Sequence, residues 1–340
     1  MPPHPATWLE VRSEGLLVRP GGFYVDPMRP VDCAVITHGH SDHARPGHHT
    51  VVATPDTLAI MRARLGDGAG TVQKPLPYGQ TVELGEVRLR LVPAGHVLGS
   101  AQVVMEYAGT RVVVSGDYKR GPDPTCRPFE PVTCDLFVTE ATFGLPVFRH
   151  PPPGEEIARL LHSVELFPER CHVIGAYALG KAQRMIALLR QAGWQRPIFL
   201  HGALQALCDL YTGQGVELGE LRPATAGEKG VARKELAGEI AIAPPGAIAD
   251  RWARRLPDPV VCQASGWMRV KQRARQGGIE LPLVISDHAD WDELLATLGE
   301  VQAPEVWVTH GREEALVHAA TQRGIKARAL ALVGYEDEPA

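Results

Sequence analysis

The stretch Val31-Asp32-Cys33-Ala34-Val35-Ile36-Thr37-His38-Gly39-His40-Ser41-Asp42-His43 decides the fold. Its first half is a short apolar run that reads as a buried strand. Its second half places three histidines and an aspartate within six positions. Imidazoles two residues apart on extended chain project to the same side, so His38 and His40 can meet one cation. Gly39 and Ser41 keep the loop small enough to fold around it. Asp42 and His43 then face a second point a few ångströms away. Two cations roughly 3.5–4 Å apart suit the hydrolysis of phosphoesters.

Six residues cannot fill two coordination spheres, so further ligands are expected downstream. Three positions qualify: His96 in PAGHVLGSA, Asp117 in SGDYKR and His310 in VTHGRE. Each follows an apolar strand and sits among small residues, where backbone can approach closely. Asp117 has two carboxylate oxygens and could bridge both ions. A single histidine at a strand end reads as a simple hydrogen-bonding group; a six-residue H-x-H-x-D-H block does not.

Composition frames this site. With 340 residues, 44% hydrophobic and 22% charged, the chain fits a globular protein of two domains. Lys+Arg 35 against Asp+Glu 39 gives a net charge of −4, so any nucleic-acid partner must be met by a local patch. No run approaches the roughly 20 apolar residues of a membrane span. The start, MPPHPATWLE, lacks the basic-then-apolar pattern of a secretory signal. Six scattered cysteines without a C-x-x-C pair read as reduced thiols in a cytoplasmic protein.

Apolar runs alternate with helical patterns, which predicts an α/β class. Thr54-Pro55-Asp56 opens a helix through Leu65. TVEL, VRLRLV, AQVVMEY and RVVVS read as antiparallel strands turned at Gly85 and Ala108-Gly109-Thr110. CDLFVT delivers Glu140. Four prolines in PVFRHPPPG, residues 146–154, signal a stiff linker before a second β/α series. The chain closes with LPLVIS, DWDELLATL, EVWVT and REEALVHAATQ, with Asp290 and Glu293 forming a capping box. The acidic Glu336, Asp337 and Glu338 read as a solvated end.

H-x-H-x-D-H, the later His96 and Asp117, and Asp26 in FYVDP together resemble the metallo-β-lactamase superfamily. That resemblance implies an αββα sandwich with a binuclear site. His38, His40 and His96 would hold one ion; Asp42, His43 and His310 the other; Asp117 would bridge, and Asp26 would orient a ligand. Glu140 in VTEATFG, His288 in VISDHADW and His310 recur in the order seen in the β-CASP subgroup, whose members cut DNA or RNA. The fold expected is thus a metallo-β-lactamase sandwich, residues 1–145 plus 281–340, with an inserted β-CASP α/β cap, residues 146–280. Along essentially the full length the chain looks like the bacterial ligase-associated DNA exonucleases, on FYVDPMRPVDCAVITHGHSDHARPG and ASGWMRVKQRARQ…VISDHADWDELL.

The resemblance implies two divalent metal ions, Zn²⁺ or Mn²⁺, and a nucleic-acid partner, DNA, with substrate between sandwich and cap. A DNA ligase or helicase in a repair pathway is the protein partner it implies; no membrane is implied. Asp42 would accept a proton from the attacking water, and His288 would protonate the leaving oxygen with Glu140 fixing its tautomer. Without the ordered trio, Glu140 reads as a surface acid and His288 as a helix cap. An RNA-processing nuclease of the same subgroup, a thioester or lactone hydrolase, and a non-catalytic nucleic-acid scaffold are the competing readings.

For a polyanion route, residues 251–275 carry Arg251, Arg254, Arg255, Arg269, Lys271, Arg273 and Arg275 against Asp258 alone. Trp252 and Trp267 lie among them and could stack bases. The four cations from Arg269 to Arg275 share a face only if extended; on a helix they split into pairs. Gly175 to Lys181 matches G-x-x-x-x-G-K, but Ala182 stands where a magnesium-binding hydroxyl is needed. Nucleotide hydrolysis is therefore rejected, leaving Lys181 as an expected contact for a substrate phosphate. His201 in FLHGAL reads as structural.

Overall fold

A computed structural model of the protein describes residues 2–224, 233–249, 252–253 and 256–332. It divides into two compact units, Met1–Val147 with His288–Ala340, and Phe148–Asp287.

The first unit carries two sheets. One has six strands in chain order: Leu9–Arg12, Gly15–Val18, Phe23–Val25, Cys33–Val35, Thr50–Ala53 and Val72–Pro75. The other has seven, running from Lys326–Ala329 through Glu305–Gly311, Leu136–Ala141, Thr110–Val114, Ala101–Tyr107 and Val87–Pro93 to Thr81–Leu84. The last four pair antiparallel, as their turn residues predict.

Side-chain alternation sets the layers. Leu89, Leu91, Val112, Val114, Val138 and Trp307 share one core with Leu16, Val18, Val25, Val35 and Val52 of the first sheet. The intervening Val113, Phe137, Val306 and Val308 cluster instead with Leu294, Leu298 and Leu316. Those leucines belong to the helices Trp291–Glu300 and Glu313–Gln322. On the first sheet Ala34, Ile36, Val51 and Ala53 meet Leu58 and Met61 of the helix Pro55–Leu65. The result is helix, sheet, sheet, helix. Burying each such side chain is worth about 1.5–3 kcal/mol, and a one-residue slip would turn a whole strand's set to the wrong face.

Both helix starts read from the sequence are made. Thr54 Oγ1 accepts from Thr57 N at 3.1 Å, and Asp290 with Glu293 exchanges bonds of 3.0 and 3.1 Å.

The second unit has a six-stranded, wholly parallel sheet in the order Leu221–Pro223, Ile198–Leu200, Ile240–Ala243, His172–Gly175, Val260–Ala264, Leu281–Leu283. Its helices include Pro153–Leu166, Lys181–Gln191 and Gly202–Gly213. Leu281–Leu283 departs from the sequence reading, which gave LPLVIS to the sandwich. It pairs with Val260–Ala264, so this unit ends at Asp287 rather than at 280. A three-residue apolar strand carries no local mark of which parallel sheet it joins.

No helix of the described residues is long and apolar enough to cross a membrane. Arg251, Arg254, Arg255 and the acidic Glu336–Glu338 lie outside the described residues.

Candidate metal centre

The strand Cys33–Val35 ends two residues short of His38, and the chain then coils. His43 N and Ala44 N both donate to His40 O, at 3.3 and 2.8 Å. The guanidinium of Arg64 donates to Gly39 O and ties the loop to the helix Pro55–Leu65. His96 is set by Ser100, whose Oγ accepts from His96 N at 3.1 Å and Val97 N at 3.2 Å. Asp117 follows Gly116, which stands at φ +56 with its place for a Cβ only 2.7 Å from Thr37 Cβ. Only glycine lets these two strand ends approach so closely.

These elements bring donors together. His40 Nδ1 lies 3.1 Å from His38 Nε2 and 3.0 Å from His96 Nε2. Asp117 Oδ2 lies 3.5 Å from His38 Nε2, 3.8 Å from His96 Nε2 and 3.4 Å from His43 Nε2. Asp42 Oδ2 lies 3.7 Å from His43 Nε2. Two groups result, His38, His40, His96 and Asp117, and then Asp42, His43 and Asp117, with Asp117 common to both. A tetrahedral cation bound at about 2.0–2.1 Å needs donors about 3.3 Å apart, a value the separations bracket. The donor set and its spacing fit divalent cations.

The lone pairs are aimed correctly as well. Asp26 Oδ1 accepts from Thr37 N at 2.7 Å, and its Oδ2 accepts from Thr37 Oγ1 at 2.6 Å. Oδ2 also lies 2.8 Å from His43 Nδ1. A carboxylate only accepts, so His43 carries its proton on Nδ1 and offers Nε2 as a lone pair. The Thr37 hydroxyl has spent its hydrogen on Asp26, so at 3.0 Å it accepts from His38 Nδ1, and His38 also offers Nε2. Asp26 thus sets two tautomers, one directly and one through Thr37. It does so from φ +43, one of five non-glycine positive φ angles among the described residues; His310 at φ +60 is another. Such backbone costs of order 1–2 kcal/mol and gathers at functional sites.

Burial opposes charging His43, but Asp117 and Asp42 outweigh it and lift its pKa well above the ordinary imidazole value. Burial likewise opposes ionising Asp117, yet His43 and His288 hold it well below the carboxylate range. His38, buried beside His43 and His96, is pushed well down. His310 falls to about 4, chiefly through burial and then through His43. Its ring stacks on that of His43 with centroids 5.3 Å apart, beside the two donor groups rather than within either.

A second constellation adjoins the first. His288 Nδ1 lies 3.1 and 3.0 Å from the two oxygens of Glu140, a wholly buried carboxylate that also accepts from Tyr118 N at 2.7 Å. Asp117, Glu140 and His288 form a third group of mutually close donors, and the His288 and His96 rings are 4.7 Å apart. His288 does not cap the following helix; Asp290 does.

The family model described as the beta-lactamase superfamily domain matches residues 7–201. The chain belongs to the beta-lactamase superfamily. It is 28% identical over 323 residues to a protein of Opitutus terrae named probable DNA ligase, covering 94% of this chain and 30% of that one. It is 31% identical over 205 residues to a ribonuclease of Thermus thermophilus, covering 52% and 46% of the two chains. It is 34% identical over 155 residues to the cleavage and polyadenylation specificity factor subunit 3 of Dictyostelium discoideum, covering 44% and 20%. The chain therefore spans less than half the length of these curated relatives. The fold is shared with a crystal structure of an Enterococcus faecalis protein of unknown function, at TM-score 0.58 and 13% identity, over 89% of this chain and 80% of that one.

In the second unit two expectations need correction. Lys181, expected at a substrate phosphate, is buried, and its ammonium bonds Asp287 Oδ1 and Ile285 O, each at 2.8 Å. Trp252, expected to stack bases, lies 9% exposed in an apolar core with its edge against His201. Residues Gly266–Arg269 and Lys271–Gln276 are helical, the case in which the four cations split rather than line one face. Arg269, Lys271 and Arg275 are exposed, whereas Arg273 lies over the Trp267 ring at 4.2 Å. His201 caps the helix Gly202–Gly213, its Nδ1 accepting from Ala203 N at 3.1 Å. Sequence reading missed Thr37, Arg64, Arg184 and Asp287. Thr37 alone left a trace, as a hydroxyl at the strand end just before His38.

Proposed function

We propose that the chain is a metal-dependent phosphodiesterase acting on nucleic acid, a DNA exonuclease of the β-CASP subgroup working in repair. The Glu140–His288 pair beside Asp117 carries this reading. Hydrolysis of a thioester, which expels a stable thiolate, has little use for a buried carboxylate–imidazole pair next to the cations. Expelling a sugar alkoxide from a phosphodiester needs a proton donor there.

His38, His40, His96 and Asp117 would hold one divalent cation, and Asp42, His43 and Asp117 a second, with His310 stacked on His43. When bound, the cations supply Lewis acidity and bring the pKa of water near neutrality. Imidazole-rich donors suit zinc, with manganese the alternative. The Asp42 side chain, 38% exposed, is open enough to take the water's proton while also serving as a ligand. Glu140 accepts the Nδ1 proton of His288, which fixes the tautomer, favours the charged ring and leaves Nε2 to donate to the leaving oxygen. Exposed Arg269, Lys271 and Arg275 supply local positive charge on a net-acidic chain.

The likeness to a probable DNA ligase along nearly the whole chain supports DNA as substrate and a ligase as partner. The ribonuclease likeness favours a second reading, RNA processing. End-labelled single- and double-stranded DNA and RNA, incubated with the pure protein under zinc or manganese, tests both. Shortening of DNA from one end supports the first reading. Selective cleavage of RNA supports the second, and inertness toward all four overturns both.

A further inference from the structure

The helix Pro55–Leu65 ends on a cation with no counter-charge of its own. Arg64 lies in the last turn, where a basic side chain ordinarily answers the carbonyls of its own helix. It turns instead to the ligand loop, where its Nη1 donates to Gly39 O, between His38 and His40. Burial lowers its pKa, and the charge of Asp42 pulls it back up. The guanidinium is therefore half-buried and within electrostatic reach of a ligand carboxylate. It nevertheless forms no ion pair with Asp42 or with any other carboxylate among the described residues. Arg64, Gly39 and Asp42 all belong to the first unit.

A guanidinium carries five N–H donors in a planar fork, and the bond to Gly39 O uses one of them. A neutral carbonyl does little to offset the partial desolvation of a charge. Two divalent cations on the neighbouring histidines and aspartates make the placement less favourable still, since like charges repel. An arriving phosphodiester reverses the sign. Its non-bridging oxygens are anionic, and the fork of an arginine matches two of them.

We propose that Arg64 is a substrate-contacting residue, whose remaining N–H groups bind a non-bridging oxygen of the phosphate held at the cation pair. The inference rests on the reading of this site as a phosphodiesterase and names a contact for the substrate's phosphate within it. The competing role is a brace for the ligand loop, exerted through Gly39 O alone.

The test uses Arg64→Gln, which keeps a donor for Gly39 O and removes the charge, and Arg64→Lys, which keeps the charge and loses the fork. Calorimetric titration of inorganic phosphate into the zinc-loaded full chain, stripped of excess zinc, reads the contact without any cleavage. Arg64→Gln should weaken phosphate binding roughly 10-fold and Arg64→Lys roughly threefold. Chelator competition should find zinc held by Arg64→Gln as tightly as by the parent or more tightly, because a repelling charge has gone. With single-stranded DNA, Arg64→Gln should lower kcat/KM roughly 10-fold. It should also flatten the dependence of log K on log salt by about 0.7, the share of one phosphate contact. Parent-like phosphate affinity in either variant overturns the proposal, as does a parent that binds no phosphate. If that affinity holds while Arg64→Gln loses zinc, Arg64 is the brace. Should Arg64→Gln unfold, Arg64→Lys carries the comparison. Failure to cut any nucleic acid defeats the nuclease reading instead, and the phosphate titration still decides this contact.

Discussion

Asp26→Asn replaces one oxygen by nitrogen and should disarm two histidines at once. The carboxylate now accepts from Thr37 N, the Thr37 hydroxyl and His43 Nδ1 at 2.6–2.8 Å. The Thr37 N–H cannot turn, so the amide oxygen must stay opposite it, and the amide NH₂ falls where Oδ2 stood. There it donates to His43 Nδ1 and sends that ring's proton to Nε2. It also donates to the Thr37 hydroxyl, which turns its own hydrogen toward His38 Nδ1, at 3.0 Å, and moves the His38 proton to Nε2 as well. Both rings then present N–H where a cation needs a lone pair. Recovering the binding tautomer means giving up the new bonds and the charged bond to His43, worth about 1.5–3 kcal/mol. That corresponds to a 10- to 100-fold loss of metal affinity. Asparagine tolerates the left-handed backbone at φ +43 as aspartate does, so the comparison is not confounded by strain. Titration of zinc or manganese into chelator-treated protein, with metal content of the purified forms, measures the loss. Circular dichroism checks that the metal-free variant folds. A folded Asp26→Asn protein that binds two cations with the parent's affinity refutes the tautomer argument.

Other outcomes follow from the same geometry. His288→Ala should keep its metal content and lose cleavage by a factor on the order of 10²–10⁴ in single-turnover assays, whereas loss of metal would make His288 a ligand rather than a proton donor. Neutralising exposed Arg269, Lys271 and Arg275 together should flatten the dependence of log K on log salt by roughly 2–3 for nucleic-acid binding, and a slope equal to the parent's would remove this patch from the interface. Burial first, and then the charge of Arg170, lowers the pKa of His172 to about 4. Its unfolded form protonates near 6.5, so its contribution is fully present above that pH and is lost as pH falls toward 4. After discounting for solvent screening this amounts to about 1–2 kcal/mol. Chemical unfolding of parent and His172→Gln at pH 7 and 4.5 should show the smaller pH loss in the variant; equal losses would contradict the assignment.

The one-dimensional chain determined a good deal. Alternation of apolar residues in VRLRLV and RVVVS, with glycine turns between, specified antiparallel strands. Thr54-Pro55 and the Asp290/Glu293 spacing specified helix starts. H-x-H-x-D-H announced metal-ligand chemistry, since no packing demand concentrates imidazoles and a carboxylate in six positions. These signals are local, set by backbone period and side-chain reach, and so survive without tertiary information. Only the folded structure brought Asp117, Glu140 and His288 to that loop, showed that Asp26 governs two tautomers through Thr37, moved Leu281–Leu283 into the second sheet, and turned Lys181 from an expected phosphate contact into an internal tie to Asp287. Each of those depends on which distant strand ends meet, which is settled by burial summed over two cores and not by any short stretch of residues.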